Sequence, residues 1–124
     1  MAAERCAFGA LAALWAAAAA AQGAGPAPAP WPEVGRQGVV RVVVVPLAQA
    51  RDREAYEQQI ARMCQDQGRC FINFYTNSSG AALGTPLPDA VFQEPTAVFR
   101  RSDKRGAEQF RWSCRLGLEP GSCF

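Results

Sequence analysis

Hydrophobic residues in the second half of the chain fall into short runs, some with the spacing of strands and one with that of a helix. Residues 39–45 form a β-branched run with a single arginine, which is typical of a strand, and Pro46 ends it. Between residues 52 and 67 the apolar positions recur at intervals of three and four, which predicts an amphipathic helix capped by Asp52. Residues 70–76 form a second strand. The order strand, helix, strand predicts a right-handed crossover between parallel strands.

Two further strands are predicted towards the C-terminus. Residues 96–101 and 107–116 have strand character, and the polar segment 102–106 joins them as a hairpin. Before them, residues 77–88 form a turn-rich loop and residues 89–94 one helical turn. The sequence therefore predicts a small single α+β domain, β-α-β-β-β, with one helix packed on one face of a four-stranded mixed sheet.

Alternation along the strands assigns the side chains to two faces of the sheet. The face predicted to pack against the helix carries Val40, Val42, Val44, Ile72, Phe74, Phe99, Phe110, Trp112 and Leu116. Opposite it, polar and cationic side chains share a face with Ser113. Arginine binds phosphate, carboxylate or sulfate through two parallel hydrogen bonds. The candidate ligand-binding residues are therefore Arg41, Asn73, Tyr75, Arg100, Arg111 and Arg115. The alternative is a solvated face whose arginine stems cover apolar atoms.

Residues 1–21 have the pattern of an export signal. A weakly positive start that includes Arg5 is followed by an uncharged, alanine-rich run that ends in small residues, where a signal peptidase can cleave. We therefore expect the mature chain to begin near Gln22 and to be periplasmic or secreted. An uncleaved membrane anchor is the alternative. A spanning helix needs about 20 strongly apolar residues, and this run is shorter and mostly alanine.

Residues 22–38 are predicted to be a linker that precedes the folded domain at residues 39–124. Small residues alternate there with four prolines, a composition that favours polyproline II: Pro26, Pro28, Pro30 and Pro32. We interpret the segment as a spacer. The alternative is a proline-rich ligand for an aromatic groove.

Four of the five cysteines follow the predicted signal, and an even number in an exported chain predicts two disulfides. Of the three possible connectivities the local one is favoured, because Gly68 can turn the chain back after the helix and residues 117–122 are rich in turn formers. The predicted bonds are Cys64–Cys70 and Cys114–Cys123. Their spacings match neither a zinc-binding pair nor a C-x-x-C redox motif.

Composition limits the chemistry. The chain has no histidine, which excludes Ser/His/Asp and Cys/His mechanisms. No glycine-rich phosphate loop is present, and a net charge of +2 is low for a nucleic-acid-binding protein. Abundant alanine, glycine and proline, with arginine far outnumbering lysine, indicate a GC-rich bacterial genome.

Together these patterns predict a small exported, non-catalytic binding domain. Its partner is expected to be an anionic small molecule or an envelope protein, bound by the arginine-bearing face or by the 77–88 loop. An inhibitor or accessory subunit of an envelope enzyme is the alternative, and a small hydrolase that uses only carboxylates is the third. No cofactor, metal or nucleic-acid partner is predicted, and no membrane span after signal cleavage.

Overall fold

The computed structural model describes residues 29–77, 83–103 and 106–124. In chain order the main elements are β1 (Glu33–Gln37), β2 (Val40–Val45), α1 (Arg53–Cys64), β3 (Cys70–Thr76), α2 (Asp89–Phe92), β4 (Ala97–Arg101) and β5 (Glu108–Trp112). The fold is α+β, as predicted: α1 packs against a mixed sheet with the strand order β1-β2-β3-β4-β5. Only β2 and β3 run parallel; the other neighbouring strands are antiparallel. The signal-peptide prediction for residues 1–21 falls outside the described residues.

The sheet has five strands where the sequence predicted four. The additional strand, β1, lies inside the segment predicted to be a linker and pairs antiparallel with β2. Its sequence, EVGRQ, contains one apolar side chain, so alternation gives almost no signal. Gly35 has a φ of 152°, and a Cβ there would collide with the Thr85 side chain. Gly38, with a φ of 63°, forms the turn into β2.

Trp31, also in the predicted linker, is part of the hydrophobic core. Its side chain is 5% exposed and lies edge-on to the rings of Tyr56 and Phe74, at centroid distances of 4.9 and 5.9 Å. The Trp31 backbone N–H donates to Gln59 Oε1 at 2.9 Å, and its indole N–H donates to Gln49 Oε1 at 2.8 Å. The segment before β1 is therefore held by packing and by hydrogen bonds to α1 and to Gln49, which precedes α1.

The core side of β2 is opposite to the prediction. Val43 pairs with Phe74, so Arg41, Val43 and Val45 face α1 while Val40, Val42 and Val44 face away from it. A continuous valine run carries no alternation, so only the pairing with β3 decides which valines are inside. The remaining core prediction is confirmed, and the residues on the α1 side are Ile72, Phe74, Phe99, Phe110, Trp112 and Leu116.

Both disulfides have the predicted pairing. Cys64–Cys70 joins the end of α1 to the start of β3 and is buried, its cysteines 1% and 2% exposed. Cys114–Cys123 joins the C-terminal tail to a 3-10 turn, Cys114–Leu116, and Cys114 is exposed. This turn also corrects the predicted strand 107–116, because β5 ends at Trp112.

Trp31→Ala is expected to lower the free energy of unfolding by about 3–5 kcal/mol, because it empties a well-packed aromatic site. Urea unfolding of the mature protein measures the change. Leu47→Ala is the matched control: Leu47 is 65% exposed, and the expected change is under about 0.5 kcal/mol. Equal effects of the two substitutions would mean that Trp31 is not a core residue.

Candidate anion-binding face

Side chains from four strands form two adjacent rows on the side of the sheet opposite α1. The first row contains Val40, Phe71, Arg100 and Gln109, and the second contains Val42, Asn73, Val98 and Arg111. Each row runs across the strands, so its members are direct cross-strand neighbours. Close approach of these side chains follows from the register alone.

Part of this side of the sheet is covered by residues 83–92. Leu87 is buried there against Val42 and Tyr75. Its backbone is also held, because the Leu87 N–H donates to Gln37 Oε1 at 2.9 Å and the Gln37 amide donates back to Leu87 O. The remaining residues on β3, β4 and β5, partly or fully exposed, are here called the cationic face: Phe71, Val98, Arg100, Gln109 and Arg111.

Arg100 is fixed in the middle of the cationic face by three acceptors. Its Nη1 donates to the backbone oxygens of Ile72 and Phe99 at 3.0 and 2.9 Å. Its Nη2 donates to Asn73 Oδ1 at 2.7 Å. The guanidinium also lies 5.7 Å from the centroid of the Phe71 ring, within the range of a cation–π contact. Arg100 is thus half-buried and held in one orientation.

A chain of hydrogen bonds continues from Arg100 to the covering segment. The Asn73 amide donates to the Tyr75 hydroxyl at 3.0 Å, and that hydroxyl donates to Phe92 O at 2.8 Å. Burial raises the pKa of Tyr75, against the smaller effects of the Asn73 hydrogen bond and the Arg100 charge. Burial lowers the pKa of Arg100, and Tyr75 acts in the opposite direction. Arginine remains charged at neutral pH, so Arg100 is a cation partly removed from water.

Arg111, in β5, is held by the C-terminal tail. Its Nε donates to Ser122 O at 3.0 Å, and its Nη2 donates to Cys123 O at 2.7 Å. The guanidinium carbon lies 5.8 Å from the centroid of the Phe124 ring. Like Arg100, this guanidinium is oriented by backbone carbonyls and an aromatic ring.

Neither arginine of the cationic face forms an ion pair with a carboxylate among the described residues. Arginines that do form ion pairs in that part of the chain include Arg36, Arg41, Arg53 and Arg101. A guanidinium has five N–H donors. Three of those on Arg100 and two of those on Arg111 are used within the protein, so both arginines retain donors for a ligand.

Four of the six predicted site residues share the face opposite α1, but they differ in availability. Arg100 and Arg111 are half-buried with donors to spare, whereas Asn73 and Tyr75 are buried at 4% and 3% exposure. The two buried side chains orient Arg100 and the covering segment. Phe71, which the prediction did not include among the site residues, joins the face through the same alternation that identified Asn73.

The other two predicted residues lie elsewhere. Arg41 faces α1, because the register of β2 is opposite to the prediction; it donates to Met63 O and to both carboxylate oxygens of Glu33. Arg115 lies in the 3-10 turn after β5, where it donates to Glu94 O and Thr96 Oγ1. The structure therefore places neither residue on the cationic face.

A groove of about 480 Å³ lies on the other side of the sheet, between α1 and β5. Its lining includes the apolar side chains of Ile60, Phe99 and Phe110. Its charges are mutually paired: Arg53 contacts Glu57, and Arg101 contacts Glu108. Because these charged groups are already paired with each other, the groove has fewer unpaired charges for a ligand than the cationic face has.

No family model matches the chain, and no curated protein or solved structure is significantly similar to it. Within the described ranges, no helix has the length and apolarity needed to cross a membrane. The same residues contain no group of three or more histidine, cysteine or acidic side chains that could hold a metal ion. The cationic face is therefore the strongest candidate for a functional site in the part of the chain that the structure describes.

The contact between Arg41 and Glu33 is expected to make the free energy of unfolding depend on pH. The hydrogen bond from Arg41 lowers the pKa of Glu33, and partial burial opposes the shift. Because the folded state has the lower pKa, the contribution is present above the unfolded pKa and is lost as the pH falls through roughly 4 and below.

Glu33→Gln is therefore expected to cost up to about 1 kcal/mol at pH 7, since the pair is partly exposed, and progressively less on acidification. Urea unfolding of both proteins between pH 7 and 3 measures the difference. The matched comparison uses an Arg41→Gln background, where the pH-dependent part should be greatly reduced. A difference that stays constant with pH would contradict the assigned interaction.

Proposed function

We propose that this protein is a small exported, non-catalytic domain that binds an anionic ligand on the cationic face. The observation that supports the proposal most directly is the state of Arg100 and Arg111. They lie on one face, have unused N–H donors and have no carboxylate partner among the described residues. Carboxylate, phosphate and sulfate groups are the natural partners of such guanidinium groups.

The two arginines are spaced to act together. Arg100 lies directly opposite Gln109 on β5, and Arg111 is two residues further along the same strand. Diagonal neighbours of this kind have Cα atoms about 7–8 Å apart. Two long side chains at that separation can reach one anionic group or two adjacent ones. The exposed amide of Gln109 and the ring of Phe71 complete a surface for the rest of the ligand.

Both guanidinium groups are oriented before a ligand arrives. Backbone carbonyls restrict Arg100 and Arg111, so less side-chain freedom is lost on binding than with mobile arginines. Partial desolvation of Arg100 also favours binding, because an anion restores interactions that water no longer supplies. These properties favour a binding surface over a merely solvated one.

The export part of the proposal rests on two features of the sequence and one of the fold. Residues 1–21 have the pattern of a signal peptide, and the bacterial composition makes the periplasm or the external medium the destination. Both disulfides fit an oxidising compartment.

The complete absence of histidine supports a binding role over an enzymatic one.

The alternative proposal, an inhibitor or accessory subunit that inserts the 77–88 loop into an enzyme, has less support. Leu87 is buried against Val42 and Tyr75, so this part of the loop packs on its own sheet. A residue that is buried in its own domain is not exposed for insertion into a partner enzyme.

Binding of inorganic phosphate tests the proposed site. In a nuclear magnetic resonance titration at low salt, saturable shifts are expected for amides of β4 and β5, and affinity is expected to fall at physiological ionic strength. Arg111→Gln should weaken binding by about threefold to tenfold. This is the value of one charged hydrogen bond, reduced because the site is partly exposed to solvent. Arg36→Gln, which changes the net charge equally but lies on β1 with a side chain that is 60% exposed, should have little effect. Equal weakening by both variants, or no saturable shifts on β4 and β5, would refute the site.

The intact mass of the protein recovered from its native host tests export. The expected product begins near Gln22, with cleavage at the small residues that end the alanine-rich run. A mass that still includes residues 1–21 would mean that this segment is an uncleaved anchor and not a cleaved signal peptide.

A further inference from the structure

The last residue of the chain is hydrogen-bonded to the backbone at the end of β5. The Phe124 N–H donates to Trp112 O at 3.0 Å, and the Cys114 N–H donates to Phe124 O at 2.8 Å. The Cys114–Cys123 disulfide ties this tail to the turn that follows β5. Residues 122–124 are therefore anchored beside β5 by one covalent bond and two backbone hydrogen bonds.

The same tail holds Arg111. Ser122 and Cys123 supply its two backbone acceptors, and Phe124 supplies the ring near its guanidinium. Arg111 has no other hydrogen-bond acceptor among the described residues. Its orientation on the cationic face therefore depends on where residues 122–124 are held.

The two disulfides differ in what they connect. Cys64 and Cys70 belong to the hydrophobic core, whereas Cys114 is exposed and Cys123 is only partly buried. Inside the loop closed by Cys114–Cys123, Leu116 and Leu118 pack against the core and so provide contacts other than the bond. Loss of this disulfide should therefore release mainly the last residues of the chain while the domain stays folded.

We infer that the Cys114–Cys123 disulfide is a positioning element of the anion site: it fixes the tail carbonyls that orient Arg111. The inference rests on the proposed function and adds a dependence of that function on the bond. Ordering one long, flexible side chain on binding costs enough to change affinity by about threefold to tenfold. The disulfide removes most of that cost in advance, so the oxidised protein is the form with high affinity.

The test is a double-mutant cycle with inorganic phosphate as the probe. Cys114→Ser/Cys123→Ser is expected to bind phosphate about threefold to tenfold more weakly than the native protein. In that background Arg111→Gln should cause much less further loss than it does in the native protein, since both changes act through one side chain. Arg100→Lys is the comparison: Arg100 donates to no tail residue, so its effect should change less between the two backgrounds than that of Arg111→Gln.

The readouts separate failure of the inference from failure of the proposed function. If native protein shows no saturable phosphate binding on β4 and β5, the proposed function is wrong. If native protein binds but the disulfide-free protein binds equally well, or the losses with Arg111→Gln are additive, only the positioning role is wrong. A purely structural disulfide would give such additive losses.

Amide hydrogen exchange provides an arm that needs no ligand. Without the bond, the residue 114 amide should lose protection while the β3 amides keep theirs. Should the serine variant not fold, mild phosphine reduction of native protein gives the same comparison, because the exposed bond is expected to be reduced before the buried Cys64–Cys70 bond. Unchanged protection of residue 114 after selective reduction would overturn the inference.

Discussion

Tyr56 occupies the centre of an aromatic cluster that joins α1 to the sheet. Its ring makes edge-to-face contacts with four others, at centroid distances of 4.9–5.4 Å: Trp31, Phe74, Phe110 and Trp112. Its hydroxyl would be costly to bury without a partner, and it donates to Ala50 O at 2.7 Å. Because these rings come from the segment before β1, from β3 and from β5, one helix residue joins α1 to three separate parts of the chain.

With only one long helix in the described residues, α1 can cover only one side of the sheet. With α1 on one side, the other side must be covered by something else or meet water. Residues 83–92 cover the part nearest β1 and β2, through Leu87 and the hydrogen bond from Tyr75 to Phe92. Over β4 and β5 the cover is supplied by arginine side chains instead, with Arg100 over the Phe71 ring and Arg111 beside Phe124. Aliphatic stems and planar guanidinium groups suit this role because they bury apolar surface and keep their charge in contact with water.

Four of the described arginines show two different electrostatic arrangements. On the α1 side, Arg41 and Arg101 are paired with Glu33 and Glu108, and their interactions are complete within the chain. On the cationic face, backbone carbonyls take the place of carboxylates, so the arginines are oriented without being neutralised. An oriented cation without a counter-charge is suited to an anionic ligand, which is why we propose the cationic face, and not the α1 side, as the binding surface.

Local patterns were sufficient for much of this fold. Short-range spacing and turn formers such as Gly68 are enough to predict α1, the strand at residues 70–76, the C-terminal hairpin and both disulfide pairings from the sequence. It also placed Arg100 and Arg111 on one face, because β4 and β5 alternate clearly.

Contacts between distant parts of the chain decide which side of β2 is buried, whether residues 33–37 form a strand and where Arg41 points. A run of valines satisfies either face equally, and EVGRQ has one apolar residue, so neither segment carries the alternation that specifies a register. Pairing of Val43 with Phe74 settled the first question, and backbone hydrogen bonding to β2 settled the second. The side-chain periodicity of a strand is two, so the opposite register of β2 also moved Arg41 from the candidate site to the α1 side.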